Sequence, residues 1–222
     1  MSHLLYFFEN ELQIAALTFL AVVYFIRLGW ILRFSSKKEI TFPAGNKNIG
    51  IIHSLFNVAL PWNMESIRRN PYFYIQFLVF HFGVAAAISA TFIIPYNPSL
   101  FENRGIVLAF RIVLAAALFV GLQRMFRRLR NRALRLISTP DDYFALSLMT
   151  VYFAAGYLAV PNRYNISEWP LLVFFGLTAF FLVYVPFSKI CHYLYYPFTR
   201  FFLGRTWGHR GVVAKKKSRK EL

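Results

Sequence analysis

The apolar residues of this chain fall in five long runs separated by charged connections, and that spacing leaves few folds open. A helix that crosses a bilayer needs about 20 predominantly apolar residues. Leu12–Leu32, Tyr72–Tyr96, Ile106–Leu122, Tyr143–Val160 and Trp169–Ile190 meet that requirement. Hydrophobic residues make up 58% of the 222 residues and aromatic ones 19%, more apolar surface than a soluble domain of this size carries. The expectation is an all-α, five-transmembrane-helix bundle, a single membrane domain over 1–204 followed by a basic tail over 205–222. The fourth run has a clear start. Ser138-Thr139-Pro140-Asp141-Asp142 offers a capping hydroxyl, a proline for the first helical position and acids for the first turn. The fifth run is expected to continue as helix toward Phe202, with Pro186 and Pro197 as kinks and Tyr193, Tyr195 and Tyr196 as an interfacial belt. Ile49–Trp62 is apolar but too short to span, which fits an interfacial or re-entrant helix.

The basic residues give these spans a direction. Net charge is +16. The first connection holds Arg33, Lys37, Lys38, Lys47, Arg68 and Arg69, and the third holds Arg124, Arg127, Arg128, Arg130, Arg132 and Arg135. The tail beyond the fifth run adds Lys189, Arg200, Arg205, Arg210 and the Lys215–Lys220 cluster. The other connections hold only Arg104 and Arg163. By the positive-inside rule the N-terminus lies outside and the C-terminus in the cytoplasm of an inner membrane. Topology thus accounts for most of the charge without nucleic acid. The interleaved arginines of the third connection have an RNA-binding look, but an inner face meeting anionic lipid or an acidic partner is the simpler reading. A single cysteine, Cys191, excludes an intrachain disulfide framework, a c-type haem attachment motif and a zinc cluster. The N-terminus places Glu9 and Glu11 ahead of its apolar run and lacks a signal-peptide pattern.

Two histidines, His81 and His192, fall at the second and fifth runs and in the cytoplasmic half of the membrane. A histidine in a span is costly unless something uses it. A facing pair at one depth suits a b-type haem, whose iron takes a neutral imidazole from each side. Helix packing along the small-residue stretch Gly83–Ala87, and snorkelling of His192 beside Lys189 and Tyr193, are the plainer alternatives. His53 and His209 are a conceivable second axial pair, with ordinary interfacial or solvated histidines as the alternative. Arg27 and Arg111 lie within spans, where snorkelling or an anionic group would accommodate them.

Three elements resemble one family. Phe80-His81-Phe82-Gly83, the Ser138-to-Pro161 run and Pro186-Phe187-Ser188-Lys189-Ile190-Cys191-His192 resemble successive helices of the respiratory nitrate reductase gamma-subunit family of membrane cytochromes b. Similar cytochromes accompany heterodisulfide-reductase-like and sulfite-reduction-associated complexes. The resemblance implies a b-type cytochrome exchanging electrons between menaquinone or menaquinol and a cytoplasmic iron–sulfur subunit, with further membrane subunits as partners. His81 and His192 match the ligands of the haem nearer the cytoplasm, and Lys189 and Arg200 are placed for propionate or partner contact. The family's second pair is replaced here by Thr91 and Leu172 or a near neighbour, so the resemblance implies one haem b and leaves the quinone site unassigned. Two other readings stand beside it: a haem-free anchor for a redox complex, and a small transporter, although neither an inverted repeat nor a broken-helix pair is visible.

Overall fold

The computed structural model describes residues 1–34, 39–60, 62 and 64–212. Among them there is no β-strand, and the chain is all-α. Lys37, Lys38 and the Lys215–Lys220 part of the basic tail lie outside the described residues. The helices are α1 (His3–Arg33), α2 (Lys47–Phe56), α3 (Glu65–Arg69), α4 (Pro71–Tyr96), α5 (Arg104–Arg130), α6 (Arg132–Ile137), α7 (Pro140–Ala159), α8 (Trp169–Tyr184) and α9 (His192–His209).

Among the described residues, four helices are long and apolar enough to cross a membrane: α1, α4, α5, and α8 with its 3₁₀ extension to Phe187. The protein is a multi-pass membrane-associated chain. The sequence predicts five spans, and the difference is α7. That helix forms as expected, with Pro140 in its first turn and a reciprocal cap. The backbone N–H and hydroxyl of Thr139 donate to the Asp142 carboxylate at 2.8 and 3.0 Å. It is less apolar because Asp141, Asp142, Ser147, Thr150 and Gly156 interrupt its apolar run. Thr150, Tyr152, Phe153 and Gly156 are buried, and a helix enclosed by neighbours needs less hydrophobicity than one facing lipid.

The chain divides into two compact units. The first comprises Met1–Leu28 and Tyr72–Ile190. Its core is aromatic: Phe153, Phe174 and Phe175 are fully buried, and Tyr152 stacks on Phe174 at 5.2 Å between ring centroids. Small residues bring α4 and α5 together, since a Cβ on Gly83 would lie 2.1 Å from that of Ala117. The helices of this unit alternate in direction. Gln76 near the start of α4 bonds Gln123 near the end of α5, and Tyr184 at the end of α8 donates to Asp141 at the start of α7 at 2.7 Å. At the opposite end, Ser2 donates to Glu168, just ahead of α8.

The second unit comprises Gly29–Pro71 and the chain from Cys191 onward. Here α2 and α9 cross with backbones in contact. A Cβ on Gly50 would lie 2.2 Å from the carbonyl oxygen of Gly204 and 2.5 Å from the Cα of Gly208. Asn46 caps α2, accepting from the backbone of Asn48 and Ile49 at 2.9 and 3.2 Å. Glu39 pairs with Arg210 at 3.2 Å. The guanidinium holds that carboxyl below its ordinary range.

The helix expected to continue toward Phe202 with a kink at Pro186 is instead broken there. Pro186 lies in a 3₁₀ turn, Val185–Phe187, and Ser188 is extended at φ −105° and ψ 171°. A proline has no N–H to continue the ladder, and the Ser188 hydroxyl holds the break by donating to Val185 at 3.1 Å and accepting from Ile190 at 3.2 Å. Helix resumes at His192, and Pro197 is accommodated within α9.

Candidate functional site

His81 lies within α4, about ten residues or ~15 Å along it, and its side chain is exposed. Its Nδ1 is 2.7 Å from the carbonyl of Phe77, one turn back. A carbonyl only accepts, so Nδ1 carries a proton and donates it in this bond, and Nε2 is the ring nitrogen on the side away from that bond. The ring of Phe77 packs at 4.1 Å from the imidazole and fixes its orientation. The small residues that follow do not extend this face: Gly83 and Ala87 are buried and serve helix packing. His192 is not inside a span. It is the first residue of α9, in the second unit, with an exposed side chain. The break at Ser188 is what places it there. Thr91, where the resembled family has a second ligand, donates within α4 to Ile88 at 2.7 Å.

The other two histidines, His53 and His209, both lie in the second unit. His209 is 5% exposed, and its Nε2 donates to the carbonyl of Thr41 at 2.7 Å, which commits the ring to packing in its own unit. His53 is exposed on α2. Among the described residues no group of three or more His, Cys, Asp and Glu side chains gathers around a point that suits a metal ion. That has no bearing on a two-imidazole arrangement.

Lys189 is tied into a clamp. Its ammonium reaches Thr139 Oγ1 at 2.8 Å and Asp142 at 2.9 Å, and Arg128 approaches Asp142 at 3.8 Å while donating to Ser138 at 2.6 Å. The backbone N–H of Thr139 and then the Lys189 ammonium hold the Asp142 carboxyl well below the usual carboxylate range. Arg200 lies over the Tyr196 ring at 5.4 Å. Arg27 lies over Phe187 at 5.5 Å and Arg111 over Tyr157 at 4.1 Å, so aromatic faces receive both in-span cations.

A concavity lies at the arginine-rich end of the first unit. The arginines read from sequence as a connection are mostly helical, because α5 continues to Arg130. Cations at a helix C-terminus meet the negative end of its dipole, which favours this extension. Between the start of α4 and the end of α5 is a cavity of about 440 Å³ lined by Tyr72, Gln76, Gln123, Arg124, Arg127 and Arg130, among others. Gln76 is buried and donates to Gln123 at 2.5 Å, and Gln123 donates to the Tyr72 hydroxyl. The sequence pointed to the charge but not to this amide chain, because glutamines in apolar runs carry no pattern of their own.

Gln13 was not singled out from sequence, and Glu9 was read as lying ahead of the first span. Glu9 and Gln13 are buried in α1, which begins at His3 rather than Leu12 and contains a π-helical stretch, Phe7–Glu11. Gln13 reaches back to Phe8 at 2.8 Å and across to the carbonyl of Phe175 at 2.9 Å. A single hydrogen bond of that kind ties α1 to α8 where apolar packing alone has no register.

No family model matches this sequence, and no solved structure matches it. A protein of Nitratidesulfovibrio vulgaris, strain Hildenborough, is similar to it, 27% identical over 161 residues that cover 70% of each chain.

Proposed function

We propose that this chain is a multi-span membrane anchor that holds a peripheral redox subunit against the arginine-rich end of its first unit. The observation that carries this reading is the polarity of that unit. Arg124, Arg127, Arg128, Arg130, Arg132 and Arg135 cluster at one end, on α5 and α6, whereas the exposed helix faces are apolar, as at Phe25, Ile26 and Phe119. Such a surface favours lipid along its sides and an acidic partner or anionic headgroups at its end. The redox assignment rests on the resemblance to the nitrate reductase gamma-subunit family. In this reading the Tyr143–Val160 run, which α7 covers to Ala159, is a fifth span, the N-terminus is outside, the membrane is the inner one, and the partner is a cytoplasmic iron–sulfur subunit exchanging electrons with menaquinone.

The test is isolation of the chain from its own membranes with its partners attached. Iron and acid-labile sulfide are expected in the complex, and Arg132→Gln with Arg135→Gln is expected to detach the subunit that carries them. A complex without iron–sulfur centres overturns the reading.

One observation favours a second reading, that the anchor also ligates haem b through His81 and His192. The Nδ1–H of His81 donates to a backbone carbonyl, the kind of second-sphere bond that orients Nε2 toward a metal. An imidazole facing outward from a span also needs a covering group more polar than lipid chains. Two imidazoles suit the donor chemistry of low-spin haem iron, and a bound haem would supply one-electron transfer. His81 would act through Nε2 with Phe77 fixing its ring, and His192 from the first turn of α9. A reduced-minus-oxidised spectrum with a b-type α-band that His81→Ala and His192→Ala remove is the expected result. A featureless spectrum leaves the haem-free anchor.

A further inference from the structure

We infer that the cavity between the start of α4 and the end of α5 binds a phosphate-bearing anionic headgroup. The proposal needs the membrane placement of α4 and α5 but not the redox reading.

Depth comes first. The helix from Ile106 to Arg124 is ~27 Å long at about 1.5 Å per residue, close to the ~30 Å of a bilayer's hydrocarbon core. With α5 spanning, Arg124 falls where lipid phosphates begin. Arg127 and Arg130 follow at intervals of three, on neighbouring parts of the same helix surface.

Charge comes second. Among the described residues that line the cavity there is no Asp or Glu. Arg128, which does not line it, takes Ser138 and Asp142. The three lining arginines rest instead on rings: Arg124 on Phe80 at 4.9 Å, Arg127 on Phe73 at 4.4 Å and Arg130 on Phe126 at 5.9 Å. A ring face occupies one side of a guanidinium plane and leaves its edge N–H groups to donate in that plane. Three like charges held on one short stretch repel one another until an anion joins them.

Directed donors come third. The buried Gln76 donates to Gln123 at 2.5 Å, and Gln123 donates to Tyr72. A hydroxyl that has accepted has its own hydrogen to donate onward. The cavity thus offers guanidinium forks and an oriented phenol, a donor set that matches the oxygens of a phosphate. A neutral carbonyl ligand would leave the three charges unbalanced.

The probe is phosphatidylglycerol. The full-length chain is reconstituted in phosphatidylcholine nanodiscs with increasing phosphatidylglycerol, and retained lipid is read by native mass spectrometry. The wild type is expected to retain phosphatidylglycerol selectively. Arg127→Gln with Arg130→Gln is expected to weaken retention about tenfold, the scale of one or two charge-assisted hydrogen bonds. Arg132→Gln with Arg135→Gln, on the adjoining α6, serves as the control for diffuse basic charge and is expected to leave retention unchanged. Arg127→Lys keeps the charge but not the fork, and an intermediate loss is expected even if the double variant misfolds. A parallel ³¹P titration with inorganic phosphate separates the sources. Displacement of lipid by phosphate shows that the headgroup phosphate alone is read, and retention in its presence shows that the intact lipid is. Equal losses in both double variants, no lipid selectivity in the wild type, or undiminished lipid retention by Arg127→Gln with Arg130→Gln each overturn the proposal.

Discussion

The two units weight two ways of holding helices together differently, for the first unit adds a core of large rings to small-residue contacts such as Gly83 on Ala117. In the first, large rings fill the space between helices, with Phe153, Phe174 and Phe175 fully buried around Tyr152. In the second, the side chains are removed from the contact altogether, and Gly50, Gly204 and Gly208 let α2 and α9 touch along their backbones. Lipid is as apolar as a leucine, so burial from water supplies little of the association between spans. Aromatic packing secures contact area through shape, whereas glycine contact gains it through proximity. The first tolerates polar insertions such as the Tyr152–Thr178 pair at 3.1 Å. The second tolerates almost no added atom.

Hydrogen exchange read helix by helix separates the two cases. The largest effect is expected from Phe153→Ala, which empties a fully buried ring site at a cost of about 3–5 kcal/mol. Exchange should rise through α7 and α8 while α2 and α9 keep their protection. A rise spread over both units would break the distinction between them. Gly50→Ala is expected to cost about 1–3 kcal/mol by overpacking, with exchange rising in α2 and α9 alone. Unchanged exchange there would show that the backbones are not in contact.

Acid sharpens the comparison further. Asp142 has its carboxyl lowered in the folded chain, so it contributes stability that is complete above the unfolded value of about 3.9 and lost as pH falls toward the folded value. Titration from neutral pH downward should therefore loosen the α7–α8 end of the first unit below about pH 4. Asp142→Asn should remove that acid step while lowering stability at neutral pH, and an unaltered acid profile would sever the link. The smallest effect belongs to Glu39→Gln in the second unit. Its pair with Arg210 is exposed, and surface ion pairs contribute little. A slight loosening of the Ala44–His209 contact in exchange is the expected signature, and salt should mask it.

Much of the fold was legible in sequence because its signals are local. Thr139, Pro140 and Asp142 announce the start of α7 through bonds that span three residues, and the structure contains those bonds. The status of α7 as a span was less legible, since its hydropathy falls between that of a lipid-facing helix and a protein-enclosed one. The arginines from Arg124 to Arg130 read as a loop because charge ends an apolar run, yet the dipole and the rings beneath them keep α5 helical. Glu9 was read as lying ahead of the first span, whereas α1 begins at His3 and buries it.

The candidate site divides along the same line. His81 was visible as an imidazole in a span, and its identity and depth follow from counting residues. The carbonyl that accepts its hydrogen bond, one turn back, follows from helix geometry once α4 is granted. The position of His192 does not, because the break at Ser188 moves it from the end of a span to the start of another helix in another unit. The cavity at the end of α5 was not visible either, since Gln76 and Gln123 meet across two helices. The sequence by itself determined an all-helical, multi-pass chain and where its charge lies, because hydropathy and capping act over one helix at a time. Only the tertiary structure decided which helix is enclosed by others, where the fifth run breaks, and which arginines share a cavity. Those outcomes depend on contacts between residues far apart in the chain.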